Sequence, residues 1–260
     1  MQTLKVAISP CPNDIFIFGP WILGFIPDLP GIQTRFSFLD IEELNQAALT
    51  QKFELIKVSA SIGLKLESSH WILNCGGAFG LGQGPKLVCL PDQVPEQVQT
   101  IAVPGLATTA FCLLQKAWPK PFQPISMLFS DIPRAIVKGK VDAGLLIHET
   151  ALAYQEHGLK LVLDLGQWWL KTTSNLPLPL GVILLDKSCE LEKNKLEKQI
   201  RKSLNYAQKN LGQIKPLLKV FAQEMDEAIL EKHVNAYVNE FSLDLGLQGK
   251  TALLKLKNML

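Results

Sequence analysis

Apolar and polar positions follow one another in short blocks whose periods alternate between two and about 3.6 residues. Leu4–Ser9 is an apolar block that ends in the turn Pro10-Cys-Pro-Asn-Asp14. Ile32–Leu39 alternates apolar with polar, the pattern of a half-buried strand. Asp40 and Glu43 stand at capping-box spacing, so a helix is expected to open there. Leu55–Val58 is a second strand, and a helix should run from Ser59 to about Glu67. Trp71–Asn74 and Lys86–Leu90 are strand-like blocks around the glycine-rich stretch 76–84. A second series begins near Thr100. It has a strand at Ile101–Val103, a helix from the Gly105–Ala110 stretch to Trp118, and a helix opened by Ser130-Asp-Ile-Pro133 with proline in its first turn. The strand Ala143–Ile147 ends at His148-Glu149, a helix is expected from there to His157, and Leu161–Asp164 is a further strand. Leu176-Pro-Leu-Pro-Leu-Gly181 reads as an extended linker, because residues before proline avoid the α region. Val182–Leu185 is the last strand, and 190–260 is helical, amphipathic and lysine-rich.

Strands alternating with helices predict an α/β fold with mostly parallel sheets. The composition changes near Pro91–Pro95 and again near Pro177–Gly181. Two crossings predict a small lobe, 93–181, inserted into a larger one formed by 1–92 and 182–260. A cleft between such lobes is where a small ligand is expected.

Composition narrows the function. The 260 residues are 47% hydrophobic and 19% charged, with a net charge of +2. That is too apolar for a disordered chain and lacks the clustered basic excess that nucleic acid demands. The apolar run Ile15–Ile26, interrupted by Gly19-Pro20, has twelve residues, too few to cross about 30 Å of hydrocarbon. The opening MQTLKVAISPCPND does not have the form of a signal peptide, so a cytoplasmic protein without membrane partners is expected. Cysteines 11, 75, 89, 112 and 189 are odd in number and lack C-x-x-C spacing, which argues against disulfides and zinc. The histidines at 70, 148, 157 and 233 form no metal-binding pair, and no metal site is expected. Gly76–Pro85 is neither a dinucleotide fingerprint nor a phosphate loop. Trp21, Phe79, Trp168 and Trp169 could stack on a ring, although most aromatics are core.

Four stretches could carry chemistry. Asn13 and Asp14 follow a strand, at the carboxyl end where open α/β sheets bind ligands; the alternative is a plain turn with Asp14 capping a helix. Cys11 has no histidine near it in sequence to activate it. Lys57 and Ser59 end another strand and could hold a carboxylate, or be a surface lysine and a helix cap. Thr108 and Thr109 lead into a helix whose free N–H groups favour an anion, or are ordinary caps. His148 ends an apolar strand at the expected cleft and could move a proton near neutral pH; a hydrogen-bonded core histidine is the plainer reading. His70, His157 and His233 fall in helical or exposed contexts and receive no role.

Taken together, these stretches resemble the 1,4-dihydroxy-6-naphthoate synthase family of the futalosine route to menaquinone. The resemblance rests on SPCPND (Ser9–Asp14), LDIEELNQAAL (Leu39–Leu49), IKVS (Ile56–Ser59), GAFGLGQGP (Gly77–Pro85) and GLATTA (Gly105–Ala110). It continues through DAGLLIHE (Asp142–Glu149), LPLPLG (Leu176–Gly181) and YVNEFSLDLG (Tyr237–Gly246). Ile15 departs from the threonine that follows the first motif in the family. The resemblance implies a two-lobed fold like type II periplasmic binding proteins. It implies a carbon–carbon lyase acting on the carboxylated cyclic dehypoxanthinyl futalosine, with no metal or organic cofactor. His148 is then the expected general base, and Lys57, Ser59, Thr108, Thr109, Asn13 and Asp14 the expected substrate-binding residues. Two rivals share the fold: a chorismate dehydratase and a non-catalytic solute-binding protein. Oligomeric state is not legible in the sequence.

Overall fold

A computed structural model describes residues 2–50, 52–222 and 227–260. Eleven strands are found among them: β1 Gln2–Ile8, β2 Ile32–Phe38, β3 Leu55–Ser59, β4 His70–Ile72, β5 Ala78–Gly80, β6 Lys86–Cys89, β7 Thr100–Val103, β8 Gln123–Ser126, β9 Ala143–Leu146, β10 Lys160–Asp164 and β11 Leu178–Asp186. They form two sheets. The first has the order β2-β1-β3-β11-β4 with β5 on β11, and the second β10-β6-β9-β7-β8. The architecture is the expected two-lobed α/β fold.

Neither sheet is mostly parallel, contrary to expectation. β1 runs parallel to β2 and β3, and β7 to β8 and β9, but every pairing of β6 and β11 is antiparallel. The reason is direction of entry. β3 and β9 end at the cleft, whereas β6 and β11 start there, carrying the chain from one lobe to the other. A strand that enters its sheet from the cleft must run against those that finish at it. The strand pairing also moves the crossings away from 92/93 and 181/182. Lys86–Cys89 already belongs to the second sheet, and Leu178–Gly181, expected as a linker, is the start of β11. Pro179 fits there because the β5–β11 register slips between Pro179 and Gly181.

The pleat sorts each strand between apolar clusters. In β1, Leu4, Val6 and Ile8 join a cluster with the helix Pro12–Ile22 and the carboxyl-terminal helices, while Ala7 faces the other way. In the second lobe, Leu87, Ile101, Val103 and Leu145 join the same central cluster as Ala7, and Val88, Ala102 and Leu146 face the outer helices. Each buried leucine, isoleucine or valine among them is worth roughly 1.5–3 kcal/mol.

The helix Pro12–Ile22 continues through Gly19-Pro20 instead of breaking there. Proline disturbs the local i to i−4 ladder. The buried Ser203 reconnects it, since its Oγ donates to the Ile17 carbonyl at 2.7 Å and accepts from the Trp21 N–H at 3.3 Å. Ile15 is fully buried in this packing. The Asp40 capping box forms as expected at the start of helix Ile41–Leu49. The helix expected after His148 does not form. Only a short 3-10 turn, His148–Ala151, follows β9. A helix the sequence did not announce, Leu165–Thr173, is capped by Asp164. Among the described residues, no helix is long and apolar enough to cross a membrane.

Candidate active site

Six chain segments meet between the lobes: the turn after β1, the ends of β3 and β9, the start of β11, the first turn of helix Thr109–Ala117, and the end of helix Glu227–Tyr237. They enclose about 620 Å³, counting the open mouth. All seven residues singled out in the sequence line it: Asn13, Asp14, Lys57, Ser59, Thr108, Thr109 and His148. Trp21, Phe79 and Trp169 are buried core and do not line it.

The first lobe supplies a closed hydrogen-bonded floor. Asp14 accepts from the Ser9 N–H at 3.2 Å, the Ser9 hydroxyl at 2.8 Å and Asn13 Nδ2 at 2.8 Å. Its Oδ1 also pairs with Lys57 Nζ at 2.8 Å, and both side chains are almost wholly buried. Lys57 donates in addition to the Gly76 carbonyl at 2.9 Å. Asp14 is thus the centre of a network, not a helix cap, and Lys57 is not a surface lysine. A side chain at Gly181 would place its Cβ 2.9 Å from Lys57 Cε, so glycine leaves room for the ion pair. Ser59 is held by Asn45, whose Nδ2 donates to Oγ at 3.0 Å and whose Oδ1 accepts from the Ser59 N–H at 2.9 Å. Cys11 is buried, and loss of hydration pushes its thiol pKa up, so it stays protonated.

The second lobe presents open valences. The Thr108 hydroxyl caps its helix by accepting from the Phe111 N–H at 3.2 Å and donates to the Gly105 carbonyl at 2.9 Å. Thr109 Oγ1 donates to the Leu180 carbonyl at 3.1 Å and accepts from the Ser61 N–H at 3.1 Å. Both hydroxyls expected to touch a ligand are therefore engaged within the protein. The N–H groups of Thr109 and Ala110, at the positive end of the helix dipole, have no acceptor among the described residues. Backbone, not hydroxyl, is the free donor here.

His148 has a φ of 55°, which turns the chain sharply at the end of β9. Its ring is edge-on to Phe129 at 4.9 Å, and its Nε2 is buried without a hydrogen-bond partner among the described residues. Burial lowers its pKa to about 4; the Asp14 charge opposes this and Lys57 adds to it. At neutral pH the imidazole is uncharged and holds a lone pair ready for a proton.

Four residues of the site lay outside the sequence reading. His233, expected in a helical or exposed context, is fully buried, with Nε2 3.1 Å from Asn13 Oδ1. Its ring lies 6.1 Å from that of His148 and 5.0 Å from Tyr237, which lines the cavity. Buried Glu149 comes within 3.7 Å of His233 Nδ1. Ser61 ties the lobes together, its hydroxyl donating to the Ala107 carbonyl at 3.0 Å. One signal was available. Leu230, His233, Val234 and Tyr237 have the i, i+3, i+4, i+7 spacing of an inward helix face. No group of side chains that could hold a metal is present among the described residues.

Residues 4–260 match the family model described as menaquinone biosynthesis. The chain belongs to that family. A relative from Streptomyces coelicolor named 1,4-dihydroxy-6-naphtoate synthase is 37% identical, covering 97% of this chain and 90% of its own. One of the same name from Thermus thermophilus is 36% identical, covering 98% and 93%. The crystal structure of a protein from Archaeoglobus fulgidus superposes with a TM-score of 0.91 at 32% identity, covering 99% of this chain and 96% of that one. The ligand-binding component of an ABC-type import system from Staphylococcus aureus reaches 0.70 at 11% identity, covering 99% and 91%. That likeness shows the fold alone, the one that periplasmic binding proteins use.

Proposed function

We propose that this member of the family is a carbon–carbon lyase that converts cyclic dehypoxanthinyl futalosine to 1,4-dihydroxy-6-naphthoate, with His148 as general base. The observation that carries this reading is the neutral imidazole of His148, which lines the cleft and has a ring nitrogen without a partner among the described residues, opposite a wall that is already hydrogen-bonded. The names of the relatives supply the reaction. A base that removes a hydroxyl proton starts a retro-aldol-type cleavage, and a neutral histidine suits that task. The carboxylate of the substrate is bound by the free N–H groups of Thr109 and Ala110, with Lys57 adding positive charge. Asn13, Asp14 and Ser59 shape the floor, and Thr108 and Thr109 hold the helix start in place. Closure of the lobes excludes water from the reacting ring. In this reading the enzyme works in the cytoplasm and needs no metal or organic cofactor.

The test is mass-spectrometric detection of naphthoate from purified protein and the cyclic substrate. If wild type binds the substrate and never cleaves it, the solute-binding reading replaces this one. Turnover of chorismate instead would make it the related dehydratase. If His148→Ala forms product at the wild-type rate, the assignment of the base is wrong.

A further inference from the structure

His233 is joined to the cleft by hydrogen bonds whose direction is dictated at each step. An ionised carboxylate can only accept, so Asn13 must turn Nδ2 toward Asp14, at 2.8 Å. Its Oδ1 then faces His233 Nε2 at 3.1 Å. An amide oxygen accepts, so Nε2 carries the hydrogen. The chain His233 to Asn13 to Asp14 is buried at every member and links positions 220 residues apart. A buried imidazole N–H needs an acceptor, and the one it finds here is the amide that also holds the Asp14 carboxylate.

We propose that His233 is a positioning residue for the reaction at His148: by donating Nε2–H to Asn13 it fixes the amide that orients the Asp14 carboxylate. The carboxylate in turn sets the negative charge felt by the His148 ring when it takes a proton. This rests on the reading of His148 as the base. The groups that face the two rings from the surrounding elements are Asp14 and Lys57 from the first lobe, Glu149 from the turn after β9, and Tyr237 one turn along the helix from His233. Phe129 closes the remaining side with an apolar ring. Burial and the neighbouring His148 hold the pKa of His233 well below the ordinary histidine value, so it stays neutral and keeps a single N–H for this bond.

Two variants separate donor from bulk. His233→Phe keeps a ring and loses the donor. His233→Gln keeps an N–H near the place of Nε2. The expected result is that the phenylalanine variant loses roughly 10- to 100-fold in kcat, the size that outer hydrogen-bond partners carry in metal sites. KM should stay within about threefold, and glutamine should recover most of the loss. The second readout needs no substrate. The NMR titration midpoint of His148 should fall in His233→Phe and return toward wild type in His233→Gln. A phenylalanine variant with unchanged kcat and an unshifted midpoint overturns the proposal, as does a glutamine variant as impaired as the phenylalanine one, or a loss confined to KM. If His233→Phe does not fold, Asn13→Ala cuts the same chain from the other end: a lowered midpoint supports the proposal and an unshifted one refutes it. A wild type that makes no naphthoate overturns the functional reading instead, and the titration still decides whether His233 governs charge at His148.

Discussion

The two walls of the cleft are built on opposite principles. On the first lobe, Asp14 receives four donors, and Lys57 and Ser59 each have partners in the protein. On the second lobe, among the described residues, Thr109 and Ala110 keep N–H groups without acceptors, and His148 keeps a buried nitrogen without a partner. A buried group with no partner costs free energy, so open valences persist only where the surrounding fold enforces them. The comparison therefore assigns labour: the floor holds charge still, and the opposite wall meets the ligand.

The largest expected break of this contrast is His148→Ala. Removing a general base typically costs 10²–10⁴-fold in rate. Because the ring holds no hydrogen bond through Nε2, the fold should persist, with a circular dichroism spectrum like that of wild type. Single-turnover assays would show the loss in the chemical step. A variant that unfolds would place His148 among the structural residues of the wall and erase the difference between the two sides.

Asp14→Asn should do the reverse. It leaves the Lys57 ammonium buried without its counter-charge, a change that costs about 3–5 kcal/mol in proteins. Urea denaturation should show that loss. Adding Lys57→Met should recover part of it, because two uncharged groups need no pairing. If the single variant is as stable as wild type, the floor is not the rigid side.

Much of this contrast was legible in the sequence, because its parts sit at strand ends. Ser9–Asp14, Lys57-Val-Ser59 and His148 each follow an apolar block, and a parallel pair of strands brings such ends to one edge. What each group bonds to was not legible. Thr108 caps its helix, one of the two readings the sequence offered, but nothing local says that the Thr109 hydroxyl is engaged by Ser61 and Leu180, which arrive from distant elements. His233 was hidden by the same distance, 220 residues from Asn13. The crossings were misplaced for a different reason. Composition marks the prolines around 91–95, whereas sheet membership is decided by pairing, and β6 pairs with β9 and β10 before those prolines are reached. The missing helix after His148 reflects the left-handed backbone at that residue, which no periodicity reports.

A change of pH probes the second wall with smaller effect. Unfolded His148 takes up a proton near 6.5, and the folded residue only near 4. Between these values the unfolded chain binds more protons, so stability is full above about pH 6.5 and falls as the pH is lowered through that window. His233, shifted in the same direction, adds to the loss. Catalysis should report the folded value. The acid limb of kcat/KM is expected near pH 4, and a limb near 6.5 would mean that His148 is not the neutral, desolvated base described here.

The smallest effect is expected where the two walls touch. Ser61 is fully buried on the first lobe, and its hydroxyl donates to the Ala107 carbonyl of the second at 3.0 Å. Ser61→Ala removes that bond together with the longer 3.4 Å contact between Thr109 Oγ1 and Ser61 Oγ. The Ser61 N–H still reaches Thr109 Oγ1, and Thr109 still donates to Leu180. A neutral hydrogen bond of this kind is worth about 1 kcal/mol, and a loss of that size lowers Tm by about 2–4 °C in a chain of this size. The consequence for function follows from position. Ala107 precedes the helix start that carries the free N–H groups, so loosening it should raise KM a few-fold and leave kcat almost unchanged. Loss of kcat with KM constant would instead show that the hydroxyl serves the floor. The division between a fixed wall and a binding wall would then fail at a contact where the two meet.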